Sequence, residues 1–202
     1  HAGEPVWGSY YQSMLLPAQQ GPVDVRYGSQ PVFLANLLVR VSDAGINDAQ
    51  TAEDVLLHID QIVPFIELAD LQVQKPSGLT AHHLMAINAA ARLGVMGQPF
   101  AVEADAKNRK RLLRELEGMS VRVMDGKGRL LGRGKGSDVM GHPLRSVVWL
   151  AAALRKEGLS LQPGQWVSLG ALSPMFRPRA GEKVTVAYAG LTGVRPVGVR
   201  FQ

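Results

Sequence analysis

Pro31–Val41 reads PVFLANLLVRV, a run of apolar and β-branched side chains interrupted only by Asn36 and Arg40. Its composition and the Ser42 to Gly45 turn after it predict a buried strand. Outward from it, Thr51 predicts a helix start: its hydroxyl can cap the first turn and Asp54 completes a capping box. Val55, Ile59 and Ile62 would supply the apolar stripe of that helix and Pro64 its end. Phe65 to Val73 then reads as a second strand carrying two acids, Glu67 and Asp70, among apolar neighbours.

Thr80 is expected to cap a helix through Arg92 closed by Gly94, followed by a Gly97-Gln98-Pro99 turn and a charged helix from Asp105 to Glu117. Ser120 to Met124 and Arg129 to Gly132 flank Asp125-Gly126-Lys127-Gly128, a hairpin in which Asp-Gly supplies positive φ. Pro143 fits the first turn of a helix to about Glu157, with Gly158 as its stop. Gln165 to Leu169, Lys183 to Tyr188 and Val194 to Phe201 read as strands. The first thirty residues, with Pro17 and Pro22, read as irregular chain or an edge strand. Strands and helices that alternate early and cluster late predict one α+β domain over 1–202, a strongly bent mixed β-sheet with flanking helices.

The chain of 202 residues is 46% hydrophobic and 19% charged, the balance of a globular protein. It has no cysteine. That excludes a disulfide scaffold, a cysteine nucleophile and a thiolate metal site. Its longest apolar run, Val147 to Leu154, is too short to span a membrane. The start at His1, without Met or leader, is read as a processed or trimmed terminus.

The net charge of +5 suits an anionic metabolite. The densest basic stretch, Lys107 to Arg114, is followed by Glu115 and Glu117 and has no aromatic residues, so it reads as a solvated helix face rather than a nucleic-acid site. Gly126 to Gly136 lacks the spacing and the Ser or Thr of a phosphate loop. His82 and His83 point about 100° apart on a helix, poor geometry for a shared metal. No G-x-S-x-G elbow is present.

Three motifs stand out: Phe65-Ile66-Glu67-Leu68-Ala69-Asp70, Gly141-His142-Pro143-Leu144 with Trp149-Leu150, and Gly170-Ala171-Leu172-Ser173-Pro174-Met175. They are colinear with Glu4-Pro5-Val6-Trp7-Gly8, Met14-Leu15-Leu16, Asn88, Ala180-Gly181-Glu182 and Val199-Arg200-Phe201. Together they resemble the 2-keto-4-pentenoate hydratase branch of the fumarylacetoacetate hydrolase superfamily.

The resemblance implies a roll-like fold around a Mg²⁺ or Mn²⁺ held by three carboxylates, a small anionic 2-oxo or 2-hydroxydienoic acid as substrate, and lyase chemistry in which the metal stabilises enolate charge. It also implies a cytoplasmic location, export after leader removal being the alternative, and a homo-oligomer or a hetero-oligomer with a paralogue. Site residues carried over are Glu67 and Asp70 for proton handling, and Asn88, Gly141, His142, Pro143, Leu169, Gly170 and Ala171 around substrate. Of the three metal carboxylates only Glu67 is kept, with Leu34 and Asn36 at the other two positions. Ile87, Leu71-Gln72 and Leu169 replace further polar residues of the pattern, and the family's N-terminal helical segment has no counterpart in 1–202. Glu67 is then either a remnant ligand or a proton-transfer group. Three readings stay open: a lyase, a non-catalytic homologue that binds a small molecule or a protein, and a structural subunit.

Overall fold

The computed structural model describes residues 5–73 and 78–202, so Glu4 of the first motif lies outside the described residues. In chain order the elements are β1 (Leu15–Pro17), β2 (Pro31–Val41), α1 (Ala52–Leu57), β3 (Ile59–Asp70), α2 (Ala81–Ala86), β4 (Ala91–Met96), β5 (Phe100–Ala101), α3 (Ala106–Gly118), β6 (Ser120–Asp125), β7 (Leu130–Lys135), α4 (Arg145–Lys156), β8 (Trp166–Ser168), β9 (Lys183–Ala189) and β10 (Val197–Arg200). The architecture is α+β with a mixed sheet, as expected. The bend is resolved into a six-stranded sheet ordered β1-β4-β3-β2-β8, with β5 beside β3, and a four-stranded antiparallel sheet ordered β10-β9-β6-β7. Among the strands described, β1 and β4 are the parallel pair, and a parallel bridge joins Val23 to Phe201.

Strand β2 has the bounds the sequence gives it, and Thr51 caps α1 in the expected box with Asp54. That helix ends at Leu57, however. Ile59, Ile62 and Pro64 belong to β3, not to a helix stripe. Pro64 is tolerated in mid-strand because it pairs with Leu37 while its nitrogen side faces the Gly97 turn between β4 and β5, where its carbonyl accepts the Gly97 N–H at 2.7 Å. The second helix is also shorter than its pattern. Thr80 caps α2, but Asn88, Ala89 and Ala90 all take positive φ, which no helix sustains, and Arg92 and Gly94 fall in β4. Gly94 closes no helix; it lies against the Phe65 ring, where an added Cβ would sit 1.9 Å from a ring carbon.

Helix α3 and the stop of α4 at Gly158, with φ +70, match the pattern, while α4 begins two residues after Pro143. In the β6–β7 hairpin the positive φ is at Gly128 rather than Gly126, since Asp125 accepts the Lys127 and Arg129 amides and the turn closes one step later. The glycines of β7 have a packing role: Gly132 lies under Phe176, and Gly134 lies against the Leu172 carbonyl.

The antiparallel β2–β3 ladder divides the molecule into two faces. One face, with Phe33, Ala35, Leu37, Ile62, Ile66 and Leu68, packs into the main core against Val121, Val184 and Val186 of the second sheet. The other, with Leu34, Asn36, Leu38, Phe65 and Glu67, is covered by Tyr10, Leu15, Met96 and Trp166 and by Leu79, Ile87 and Ala90. Tyr188 of β9 ties the two layers: its buried hydroxyl donates to the Asn36 carbonyl at 2.5 Å and accepts the Phe65 N–H at 3.3 Å. Tyr188→Phe leaves both backbone groups without that partner, so we expect a loss of about 1–3 kcal/mol in urea unfolding, with the fold retained by circular dichroism.

Candidate functional site

Register places Glu67 directly between Leu34 on β2 and Gly94 on β4. Gly94 has no side chain, so the space beside the carboxylate is shaped by other groups. The Asn36 amide nitrogen donates to Glu67 Oε2 at 2.9 Å and to Ser168 Oγ at 2.7 Å. The Asn36 amide oxygen is turned away and accepts the Leu37 N–H at 2.8 Å. Flipping the amide would set its NH₂ against that N–H and its oxygen against the carboxylate, so the network fixes the orientation.

Tyr10 stands on the Phe65 ring edge-to-face at 5.8 Å, and its hydroxyl is buried beside Glu67 without a hydrogen bond of acceptable geometry. Burial, more than the Glu67 charge, pushes its phenol well above the ordinary range. Burial also raises the Glu67 carboxyl, against the lowering effect of the Asn36 amide that donates to it and of the nearby Tyr10 hydroxyl.

On either side of this polar stripe the surface is apolar. Leu38, Val63 and Phe65 form one cluster with Tyr10, Leu15, Met96 and Trp166. Val32, Leu34, Ala69, Leu71 and Ala90 form the other, joined by Leu79 and Ile87. Leu34, Leu71 and Ile87, three apolar residues at positions where the resemblance implies polar ones, thus meet in a single patch.

The remaining expected site residues are distributed. Asp70 does not share the Glu67 site: its carboxylate accepts the backbone amides of Ser29, Gln30 and Gln72 and the Ser29 hydroxyl, which together hold it below the ordinary carboxylate range despite burial. It organises the loop before β2. Asn88 clasps Ser9, accepting its N–H at 2.7 Å and donating to its carbonyl at 2.9 Å, and so sets the segment that carries Tyr10. Leu169, Gly170 and Ala171 run beside Asn36, because Leu169 N–H donates to the Leu37 carbonyl and Leu172 N–H to that of Ala35. The Leu169 side chain itself points into the main core.

Gly141, His142 and Pro143 lie at the corner between α3 and α4. There Gly141 and His142 line a cleft of about 530 Å³ with Glu53, Glu117 and Arg145, and Glu67 is not part of its wall. His142 Nδ1 accepts the Leu144 N–H and its Nε2 faces the Leu113 carbonyl, a neutral buried imidazole whose pKa burial lowers. His82 and His83 are exposed, as expected. Tyr10 and Ser168 were not legible as site residues. Tyr10 sits in an irregular stretch without periodicity, and Ser168 shows no motif beyond being two residues before Gly170.

No protein-family model matches the chain. It is 25% identical over 190 residues to a 4-oxalocrotonate decarboxylase of Pseudomonas putida, covering 94% of this chain and 68% of that one. It is 26% identical over 194 residues to a 2-keto-4-pentenoate hydratase of Paraburkholderia phymatum, covering 96% and 70%. The chain is a homologue of the 4-oxalocrotonate decarboxylases and 2-keto-4-pentenoate hydratases. A solved 4-oxalocrotonate decarboxylase from Pseudomonas putida G7, complexed with magnesium and adipate, shares the fold with a TM-score of 0.78 at 23% identity, covering 96% of this chain and 69% of that one. The fold recurs in solved members of the fumarylacetoacetate hydrolase family. In the described residues, no helix of this homologue is long and apolar enough to cross a membrane.

A hard divalent cation needs several oxygen donors and net negative charge around it. This homologue offers one carboxylate, an amide turned to present N–H rather than oxygen, and leucine opposite Glu67. Among the described residues no three of His, Cys, Asp or Glu are grouped to hold a metal ion. The residues present therefore do not fit Mg²⁺ or Mn²⁺.

Leu34→Glu with Asn36→Glu places two carboxylates beside Glu67, so Mn²⁺ affinity by titration calorimetry rises by tenfold or more over the native chain; no gain would show that the strand register is misread. A carboxyl whose pKa is raised on folding contributes stability below its unfolded pKa, and this is lost as pH rises through the folded value. Glu67→Gln cannot ionise, so its urea midpoint is expected to gain progressively on the native chain as pH rises above the ordinary Glu range. The lowered Asp70 has the opposite sign: Asp70→Asn costs most above the ordinary Asp range, and the difference shrinks as pH falls.

Proposed function

We propose that this homologue binds a small 2-oxo or 2-hydroxydienoic acid on the hydratase and decarboxylase scaffold without metal-assisted turnover. One observation carries the reading: the sole carboxylate of the site, Glu67, faces hydrogen-bond donors and an apolar patch that gathers Leu34, Leu71 and Ile87. With its pKa raised, Glu67 is held toward the neutral acid, a state that donates a hydrogen bond to a keto or enol oxygen rather than repelling an anionic ligand. The Tyr10 hydroxyl, buried beside it, is a second donor for the same oxygen. The apolar clusters would line the hydrocarbon part of a dienoic acid.

A second reading, proton transfer by Glu67 with slow turnover, is favoured by that same Tyr10 hydroxyl. A phenol left without an acceptor beside a carboxyl is placed to exchange a proton with it once a ligand moves either group.

Titration calorimetry with oxalate or pyruvate, in EDTA and in excess Mn²⁺, together with an assay on 2-hydroxypenta-2,4-dienoate, separates these readings. The first expects binding that is the same with and without metal, about tenfold weaker in Glu67→Ala, and no turnover. Turnover that disappears in Glu67→Gln establishes the second. Turnover or binding that requires Mn²⁺ overturns both.

A further inference from the structure

The outer face of the four-stranded sheet carries charge that no ion pair among the described residues answers. Register puts Arg122 of β6 directly opposite Arg133 of β7, Ser120 opposite Lys135, and Lys183 of β9 opposite Arg200 of β10. All five cations are exposed, and none takes part in an ion pair among the described residues. None of the four strands places a carboxylate on this face: Asp125, the only acid in them, points inward and is held by Arg129. The other strand positions on this face carry no charge: Ala187, Ala189 and Gly198 are small, and Met124 and Thr185 stand beside them. Like charges directly opposite on a sheet are unfavourable. Strand β7 is also the last strand of its sheet, with one side unpaired.

We infer that this face and the free β7 edge form a docking surface for an acidic, extended protein segment, which pairs with β7 as a fifth strand and lays alternate carboxylates over Arg133 and Lys135, with Arg122 behind them. Charge complementarity selects this occupant. A second copy stacked on the same face, or paired β7 to β7, would bring cation against cation. A nucleic acid would find phosphate contacts but no aromatic ring to stack a base. Strand addition uses both features together, since main-chain hydrogen bonds give affinity and side chains at every second position give specificity.

The test is fluorescence anisotropy of a labelled eight-residue peptide alternating Glu and Val, titrated with the full chain at low salt. Saturable binding is expected, weakened about tenfold or more by Arg122→Glu with Arg133→Glu and abolished when alternate peptide nitrogens are methylated. Lys110→Glu with Arg114→Glu, the same change in charge on the exposed face of α3, is expected to leave it unaltered. The milder Arg122→Gln with Arg133→Gln serves if the double Glu variant fails to fold, with an expected loss of threefold or more. Equal weakening by the α3 variant, binding that survives methylation, tighter binding of oligothymidylate or phosphatidylserine vesicles than of the peptide, or no binding at all would each overturn the proposal.

Discussion

The ladder between β2 and β3 is the constraint from which the rest of the structure follows. A strand alternates its side chains, so a slip of one residue would send Leu34, Asn36 and Leu38 into the main core and Phe33, Ala35 and Leu37 to the opposite side. The observed register is enforced from both faces. Main-core packing requires the odd-numbered residues of β2, and the Tyr188 hydroxyl fixes the Asn36–Phe65 step from beneath. Once that register is set, Glu67 must face Leu34 and Gly94, and its polar company is limited to what Asn36, Ser168 and the Tyr10 segment can bring.

A lone carboxyl in such a place has three ways to be accommodated: a cation, a proton or hydrogen-bond donors. Here the task falls to a hydrogen-bond donor, the Asn36 amide, while burial raises the carboxyl's pKa. Asn36 spends its amide N–H on Glu67 and Ser168 and its oxygen on backbone, which leaves no lone pair directed at the site. The magnesium-bound relative shows the scaffold itself to be compatible with a metal. What surrounds Glu67 in this chain is set by its own side chains, Leu34, Asn36 and Tyr10, in keeping with function residing in sites rather than folds.

Much of this was legible in the sequence, and the failures have physical causes. Strand β2, the Thr51 box, α3 and Gly158 were readable because local chemistry decides them: apolar run, capping oxygen, charged face and left-handed stop. Ile59 and Ile62 were misplaced because helix and strand periodicities overlap over a few residues. Pro64 was read as a breaker because its harmlessness depends on which side of β3 faces a turn, a tertiary fact. At the site, Glu67 was visible as an acid in apolar company. The demotion of Asp70 to a loop organiser was not, since its acceptors' partners are backbone amides with no sequence signature. The contact among Leu34, Leu71 and Ile87 joins residues far apart in the chain and needed the fold to be seen.

The clasp between Ser9 and Asn88 joins positions 79 residues apart. Its closing entropy is repaid only after β3 and β4 exist to receive Tyr10 on Phe65. The segment that carries Tyr10 therefore has its docking surface only once β3 and β4 are in place. The ribosome delivers this segment before the strands that receive it, so it has no place to go until the 79 residues from Ser9 to Asn88 have followed.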